Sequence, residues 1–299
     1  GLHISIGSVY AWSVLTRPIM VDMGFTLSQT TWTFSLAILM LGLSAGFLGS
    51  FAEKIGPKKS GLLAMLFWVA GLFGTAYALS IHSLTLLYLF YGIIGGIGLG
   101  IGYITPVSTL VKYFPNRPGF ATGLAIMGFG FAALIAGPLM QYLVAHVGLV
   151  NNFIILGITY LIVMSASSLY LKAPTPKKPT RSNQDKSTMY VHNHGMLAND
   201  AMKTWQFSAL WWVFFVNITC GIGLLSLASP MAQETIGMTP AAAASLVGII
   251  GIFNGGGRIV WSTISDFLGR AQTYILFFIM EIIAFYLLSQ THSTLTFQI

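Results

Sequence analysis

One arginine, Arg258, lies inside an apolar and glycine-rich stretch of the chain, FNGGGRIVW at residues 253–261. A guanidinium at the centre of a membrane span costs at least ~2.5 kcal/mol unless it faces water or a counter-charge. Asn254 lies one turn before Arg258, and Asp266 follows about two turns after it, near the end of the same run. Arg258 is therefore predicted to bind an anion, because its planar donor fork suits a carboxylate. The alternative is a structural ion pair with Glu281 in the next apolar run.

The composition places this arginine in a polytopic membrane protein. Of the 299 residues, 55% are hydrophobic and 7% are charged, whereas about a quarter of the residues of a soluble domain are charged. So few charges could not solvate the surface of a soluble fold of this size. The single cysteine, Cys220, excludes an internal disulfide and a thiolate metal cluster.

Nine apolar runs are long enough to cross a bilayer, which requires about 20 residues of helix. The runs do not alternate with period two, so helices are predicted rather than the strands of a barrel. The expected fold is an all-α membrane bundle. Its nine spans are predicted at residues 1–20, 32–52, 61–80, 84–106, 120–143, 152–171, 207–230, 241–262 and 272–290.

The positive charges predict the orientation of this bundle. Twelve of the 14 Lys and Arg residues fall in alternate connections between the runs, or at their edges. The positive-inside rule places those connections, together with the N-terminal side of the first run, in the cytoplasm. We expect a multi-pass protein of the plasma membrane, surrounded by the lipid bilayer. Arg17, one of the two exceptions, lies near the outer end of its run and can reach the interface.

A polar, basic segment at residues 173–206 separates six runs from three, and it is predicted to be a flexible cytoplasmic linker. It contains His192 and His194, but no Cys or third His is near them in the sequence, so a solvated loop is predicted rather than a metal site. The other histidines are scattered, and the sequence has no carboxylate pair at catalytic spacing. The sequence therefore predicts that the protein is not an enzyme and has no cofactor and no nucleic-acid partner.

Two segments repeat a pattern of an acid, a glycine three residues later, and then a cation. The matching residues are Glu53, Gly56 and Lys58 in GSFAEKIGPKK (49–59), and Asp266, Gly269 and Arg270 in STISDFLGR (262–270). Their separation of about 213 residues indicates duplication of a six-helix unit. The predicted halves are residues 1–172, with a shortened first span, and residues 207–299, with three spans and the start of another. Twelve helices are expected in the intact protein, so the chain is expected to be a fragment.

The first of these segments resembles the signature of the major facilitator superfamily, G-x-L-A-D-R-x-G-R-K. Glu53 stands for the usual Asp, and Pro57 and Lys58 stand where many members have Arg-Lys. A carboxylate at a helix end that meets cations and a neighbouring helix N-terminus can hold one conformation closed. The repeated segments are thus predicted to control conformation, through Gly49, Glu53, Gly56, Lys58, Lys59, Asp266, Gly269 and Arg270.

A closer resemblance is to the oxalate/formate antiporter family, bacterial relatives of the monocarboxylate transporters. The similar stretches are SVYAWSV (8–14), GIGYITP (100–106), KYFPNRPGFATG (112–123) and FNGGGRIVWSTISDFLGR (253–270). The resemblance implies a bundle of two pseudo-symmetric six-helix halves, in which Arg258 binds the carboxylate of a small substrate. It implies that Tyr10, Trp12 and Tyr103 line the cavity. Asn254, one turn from Arg258, completes the predicted binding set.

Three positions depart from the oxalate carrier of that family. Val9, Thr31 and Phe129 replace two glutamines and a tyrosine, and the lysine that the carrier has in helix 11 would lie beyond Ile299. A dicarboxylate needs two cationic or strongly donating anchors, and Arg258 is the single cation that this sequence places in the predicted cavity. The sequence therefore favours a monocarboxylate such as formate, lactate or pyruvate over oxalate.

Two residues bear on how transport would be driven. Proton-coupled relatives carry an Asp where this chain has Asn254, which cannot take up a proton, and this difference favours anion exchange. Glu281 is an intramembrane carboxylate that can titrate in a low-dielectric site or pair structurally. We expect a monomeric carrier of small organic anions that works by alternating access. A carrier of another solute, such as a drug or a sugar, and a carboxylate sensor that does not transport stay open as alternatives.

Overall fold

The computed structural model describes residues 1–114, 117–173 and 198–290, and its long elements are helices. Eight continuous helices are long and apolar enough to cross a membrane, and one of these, Pro118–Tyr170, contains two spans. The helices are α1 Leu2–Met23, α2 Leu27–Ile55, α3 Pro57–Ser80, α4 Leu84–Tyr113, α5 118–147, α6 149–170, α7 Trp205–Thr235, α8 Pro240–Leu268 and α9 Arg270–Ser289. The predicted all-α fold with nine spans is confirmed for the described residues.

Local signals in the sequence set the ends of these helices. Thr26 caps α2 by accepting from the backbone N–H of Gln29, whose side chain accepts in turn from the backbone N–H of Thr26. Thr239 caps α8 in a similar way, and proline occupies the first turn of α3, α5 and α8. Gly148 separates α5 from α6 with a φ of 84°, which glycine adopts without the penalty of a side chain.

Two helices contain irregular segments near the middle of the bundle. In α1, residues Gly7–Ala11 form a 3₁₀ segment between two α-helical parts. In α4, residues Tyr88–Gly95 form a π-helical segment. Such interruptions often mark functional hinges, and the 3₁₀ segment of α1 contains Tyr10, one of the predicted site residues.

Large apolar side chains cover much of the outer surface of the helices. Phe47 on α2 is 79% exposed, and Ile162 on α6 is 63% exposed. A water-soluble protein rarely leaves so many such side chains uncovered, whereas lipid chains would cover them. These surfaces agree with an integral membrane protein of several spans.

Contacts divide the chain into two compact units. One comprises residues 1–173 and 225–299, and it contains α1 to α6, the end of α7, α8 and α9. The other comprises residues 174–224, whose described part is a helical turn, Ala198–Ala201, and the beginning of α7. The two compact units describe packing, whereas the predicted halves 1–172 and 207–299, with the linker 173–206, describe a gene duplication. The predicted division into halves therefore stays a prediction.

Helices α5 and α8 approach each other closely because glycines line their contact. A Cβ atom on Gly130 would lie 2.5 Å from the backbone nitrogen of Gly255 and 2.6 Å from its Cα. One on Gly137, a further two turns along α5, would lie 3.0 Å from the carbonyl oxygen of Ala244. Gly130 therefore permits the close approach of the two helices, whereas a Cβ on Gly256 would meet no described atom within 4 Å.

We expect Gly130→Ala to destabilise the protein by about 1–3 kcal/mol, because a methyl group there displaces backbone rather than a flexible side chain. The measurement is the free energy of unfolding in detergent of the protein expressed from its complete reading frame. Gly256→Ala is the matched control, and it should be neutral or stabilising by up to about 1 kcal/mol, since alanine favours the helix. Equal stability of the two variants would contradict the close contact.

Candidate functional site

Arg258 of α8 is held by uncharged groups from two helices. Its Nε donates to Oδ1 of Asn254, one turn earlier in α8, at 2.8 Å. Its Nη2 donates to the hydroxyl of Tyr10 in α1 at 3.3 Å. The guanidinium carbon lies 6.0 Å from the ring centroid of Phe129 in α5, within reach of a cation–π interaction. The side chain is half-buried, so the charge lies at the junction of α1, α5 and α8.

Phe129 is the centre of an aromatic cluster beside this arginine. The ring of Tyr10 lies 4.7 Å from the ring of Phe129, and the ring of Tyr103 in α4 lies 5.4 Å from it, both edge-to-face. Phe129 is completely buried and Tyr10 is buried. The structure thus brings together Arg258, Asn254, Tyr10 and Tyr103, which the sequence analysis had placed in one site.

His3 of α1 is part of the same cluster, although it was not among the site residues predicted from the sequence. Its Nε2 lies 3.0 Å from the carbonyl oxygen of Tyr103, and its Nδ1 contacts the carbonyl oxygen of Ala125 in α5. Its ring lies 5.6 Å from that of Tyr103 and 6.2 Å from that of Phe129. One feature of the sequence could have pointed to His3: it precedes Tyr10 by seven residues, a spacing that places both residues on one side of a helix.

Trp12 is a predicted site residue that lies elsewhere. It is completely buried, and its ring packs 4.3 Å from that of Tyr91 in α4. Its indole N–H has no hydrogen-bond partner among the described residues. Its ring therefore packs among the N-terminal helices rather than on the Arg258 cluster, and its contact with a substrate stays a prediction.

Within the part of the chain that the structure describes, the hydrogen-bond acceptors of Arg258 are uncharged. Two of its five N–H donors are bonded there, both to neutral oxygens. Asp266 pairs instead with Arg270, and Glu53 pairs with Lys112. Glu281 in α9 is partly buried and takes part in an interaction, so its predicted roles, as a coupling group or as a partner of Arg258, stay predictions.

The repeated segments have the same backbone geometry. Gly56 ends α2 with φ 83° and ψ 160°, and Gly269 ends α8 with φ 91° and ψ 149°. Side chains other than glycine rarely adopt a positive φ, so the glycine of the repeat is required at both bends. A Cβ atom on Gly49 would make only an ordinary contact, at 3.9 Å from Ile104, so the structure gives no steric reason for glycine there.

Each acid of the repeat has a partner at the predicted cytoplasmic ends of the helices. Glu53 accepts from Nζ of Lys112, at the end of α4, at 3.0 Å, whereas Lys58 and Lys59 are exposed. Asp266 accepts from Arg270, which also donates to the hydroxyl of Ser265.

Asp266 also touches the start of α5. A Cβ atom on Gly119 would lie 2.5 and 2.6 Å from its two carboxylate oxygens. A negative charge is favourable in the first turn of a helix, because the backbone N–H groups point toward it. This contact joins α8 to α5 and gives the predicted conformational role of Asp266 a physical basis.

Within the described residues, no group of three or more His, Cys, Asp or Glu side chains could hold a metal ion. His192 and His194 lie outside the residues that the structure describes.

The sequence matches the Major Facilitator Superfamily over residues 3–297, and the chain belongs to that superfamily. It is 28% identical over 271 residues to the uncharacterized MFS-type transporter YhjX of Escherichia coli K12, covering 90% of this chain and 65% of the relative. It is 26% identical over 269 residues to the oxalate:formate antiporter of Oxalobacter formigenes, covering 89% and 61%. The chain thus spans less than two thirds of the length of both relatives.

Solved structures of transporters share the fold. A D-xylose–proton symporter matches with a TM-score of 0.57 at 14% identity, over 89% of this chain and 68% of the symporter. A bacterial homologue of the human lysosomal transporter Spinster matches with a TM-score of 0.59 at 15% identity, over 90% and 61%. At these identities the match establishes the fold alone.

We expect a double-mutant cycle of Glu53→Gln and Lys112→Met to give a coupling energy of about 0.2–1 kcal/mol, because both side chains are half exposed. The measurement is the free energy of unfolding in detergent, and the coupling should weaken with added salt. A parallel cycle of Glu53→Gln with Lys58→Met should give no coupling. Additive effects of Glu53→Gln and Lys112→Met would mean that the ion pair does not form.

Proposed function

We propose that this protein is a secondary active transporter that moves small organic anions across the membrane by alternating access. The observation that carries the proposal is the environment of Arg258. This cation lies within the helix bundle, its described partners are the neutral Asn254 and Tyr10, and Phe129 packs beside it. A carboxylate would supply the missing negative charge and accept from the unbonded side of the donor fork.

The residues at the three positions that depart from the oxalate carrier favour a monocarboxylate, such as formate, lactate or pyruvate. Phe129, where the oxalate carrier of the resembling family has a tyrosine, offers no hydroxyl. Val9 is completely buried and offers no polar group, and the hydroxyl of Thr31 donates to the carbonyl oxygen of Leu27 in its own helix. Human monocarboxylate transporter 14 is 28% identical over 179 residues, which is 60% of this chain and 34% of that protein. Oxalate by exchange stays the second substrate of interest, since one relative is an oxalate:formate antiporter.

Polar contacts near both ends of the bundle support a mechanism in which the site opens to one side at a time. At the predicted cytoplasmic end, Asp266 of α8 lies against Gly119 of α5. At the opposite end, Nη1 of Arg17 in α1 donates to Oε1 of Gln233 in α7 at 2.9 Å. Both contacts are polar and few, so either can break without exposing a large apolar surface. We place the protein in the plasma membrane as a monomer, with the N-terminal side of α1 and the central loop in the cytoplasm.

The test is counterflow of radiolabelled lactate, pyruvate, formate and oxalate into proteoliposomes that contain the protein from its complete reading frame. Arg258→Gln should abolish counterflow. Arg258→Lys should weaken apparent substrate affinity by roughly 10–100-fold, because a point charge replaces a bidentate fork. Lys172→Gln, which removes an exposed cation at the end of α6, is the matched control and should keep wild-type counterflow.

Three outcomes would overturn the proposal. Unchanged counterflow in Arg258→Gln would remove Arg258 from the site. Saturable binding of a carboxylate by the wild type without any counterflow would identify a sensor, and counterflow of a sugar or drug alone would identify a carrier of another class.

We expect Phe129→Tyr to shift selectivity from lactate toward oxalate. The added hydroxyl would provide a second donor in the cluster that contacts Arg258, and the second carboxylate group of oxalate gives it a further acceptor that lactate lacks. The shift should be about tenfold in the ratio of the apparent affinities, corresponding to one net hydrogen bond of roughly 1.4 kcal/mol. Competition of unlabelled oxalate and lactate against labelled lactate measures the ratio. A ratio equal to that of the wild type would mean that Phe129 does not face the substrate.

A further inference from the structure

We propose that His3 carries a proton that moves together with the carboxylate. The proposal rests on the carrier function proposed above and adds the ion to which transport is coupled. His3 is 5% exposed and lies between α1, α4 and α5, next to the cluster of Phe129, Tyr103 and Arg258. Asn254 cannot hold a proton at the position where proton-coupled relatives carry an acid, so a coupled proton would need another titratable group, and His3 lies in this cluster.

The two ring nitrogens of His3 both face backbone carbonyl oxygens. Nε2 lies 3.0 Å from the oxygen of Tyr103, and Nδ1 contacts the oxygen of Ala125. A neutral imidazole has one N–H group, so one of its nitrogens would direct a lone pair at a carbonyl oxygen. The imidazolium donates to both. The packing around His3 therefore provides acceptors for the protonated ring, whereas loss of the proton breaks one link between α1 and a neighbouring helix.

The substrate and the proton are linked through the charge of Arg258. Both His3 and Arg258 lie against the ring of Phe129, and two positive charges in a water-poor site repel each other. A carboxylate bound to Arg258 offsets that repulsion, so substrate binding favours a proton on His3, and a proton on His3 favours substrate binding by the same factor.

The other titratable groups that face His3 are few. The ring of Tyr103 lies beside His3 at a tilt, and Tyr10 lies across the ring of Phe129. The charges balance for a monocarboxylate: one anion on Arg258 and one proton on His3 cross together, and no net charge moves, whereas oxalate would carry one negative charge with it.

The experiment uses proteoliposomes with an entrapped pH-sensitive dye and whichever of lactate, pyruvate or oxalate gives counterflow in the wild type. An inward gradient of that anion should acidify the lumen in the wild type. His3→Gln, which keeps one donor and one acceptor but cannot hold the proton, should weaken apparent affinity for the anion. At an anion concentration that still gives counterflow, it should lose acidification to the level of protein-free liposomes. Glu281→Gln tests the intramembrane carboxyl group that the sequence offers as an alternative coupling residue, and it should leave acidification unchanged.

Acidification that persists in His3→Gln, or counterflow in the wild type without acidification, would overturn the proposal. Absence of counterflow in the wild type would instead overturn the carrier function itself. If His3→Gln loses counterflow altogether, calorimetry of anion binding to the wild type decides, in buffers that differ in ionisation enthalpy. Uptake of a proton on binding supports His3 as the carrier of the proton, and binding without proton uptake excludes it.

Discussion

A guanidinium inside an apolar helix bundle must be provided with acceptors, and the arrangement of the site follows from that requirement. Arg258 obtains one acceptor from its own helix, Asn254, and one from α1, the hydroxyl of Tyr10. The ring of Phe129 adds an attractive but uncharged face. These groups solvate the cation without neutralising it, which is why we propose an anion rather than a neutral solute as the ligand.

The close approach of α5 and α8 makes this arrangement possible. Gly130 follows Phe129 directly in α5 and lies against the backbone of Gly255, and Gly123 lies against the carbonyl oxygen of Arg258. Larger residues at these glycines would separate the two helices, and Phe129 would then no longer reach the guanidinium.

The parts of the structure that depend on local pattern could be predicted from the sequence. The nine spans follow from apolar run length, and the pairing of Arg258 with Asn254 follows from their separation by one turn. Contacts between distant segments leave no such pattern. Lys112, the partner of Glu53, is 59 residues away from it, and His3 meets carbonyl groups 100 and 122 residues away. The motif resemblance at residues 8–14 also could not distinguish its two aromatic residues. Tyr10 reaches the cluster, whereas Trp12 packs on Tyr91.

Helix α8 connects the site to the predicted cytoplasmic end of the bundle. It carries Arg258 and, two turns later, Asp266, whose carboxylate lies at the first turn of α5. A helix transmits a displacement along its length, because its backbone hydrogen bonds hold successive turns together. In the proposed carrier, an anion that drew Arg258 toward Tyr10 would therefore also displace Asp266 relative to Gly119. The proposed anion-binding charge and the contact at the end of α5 lie on one helix, so occupancy of the site would bias which end opens without a separate relay.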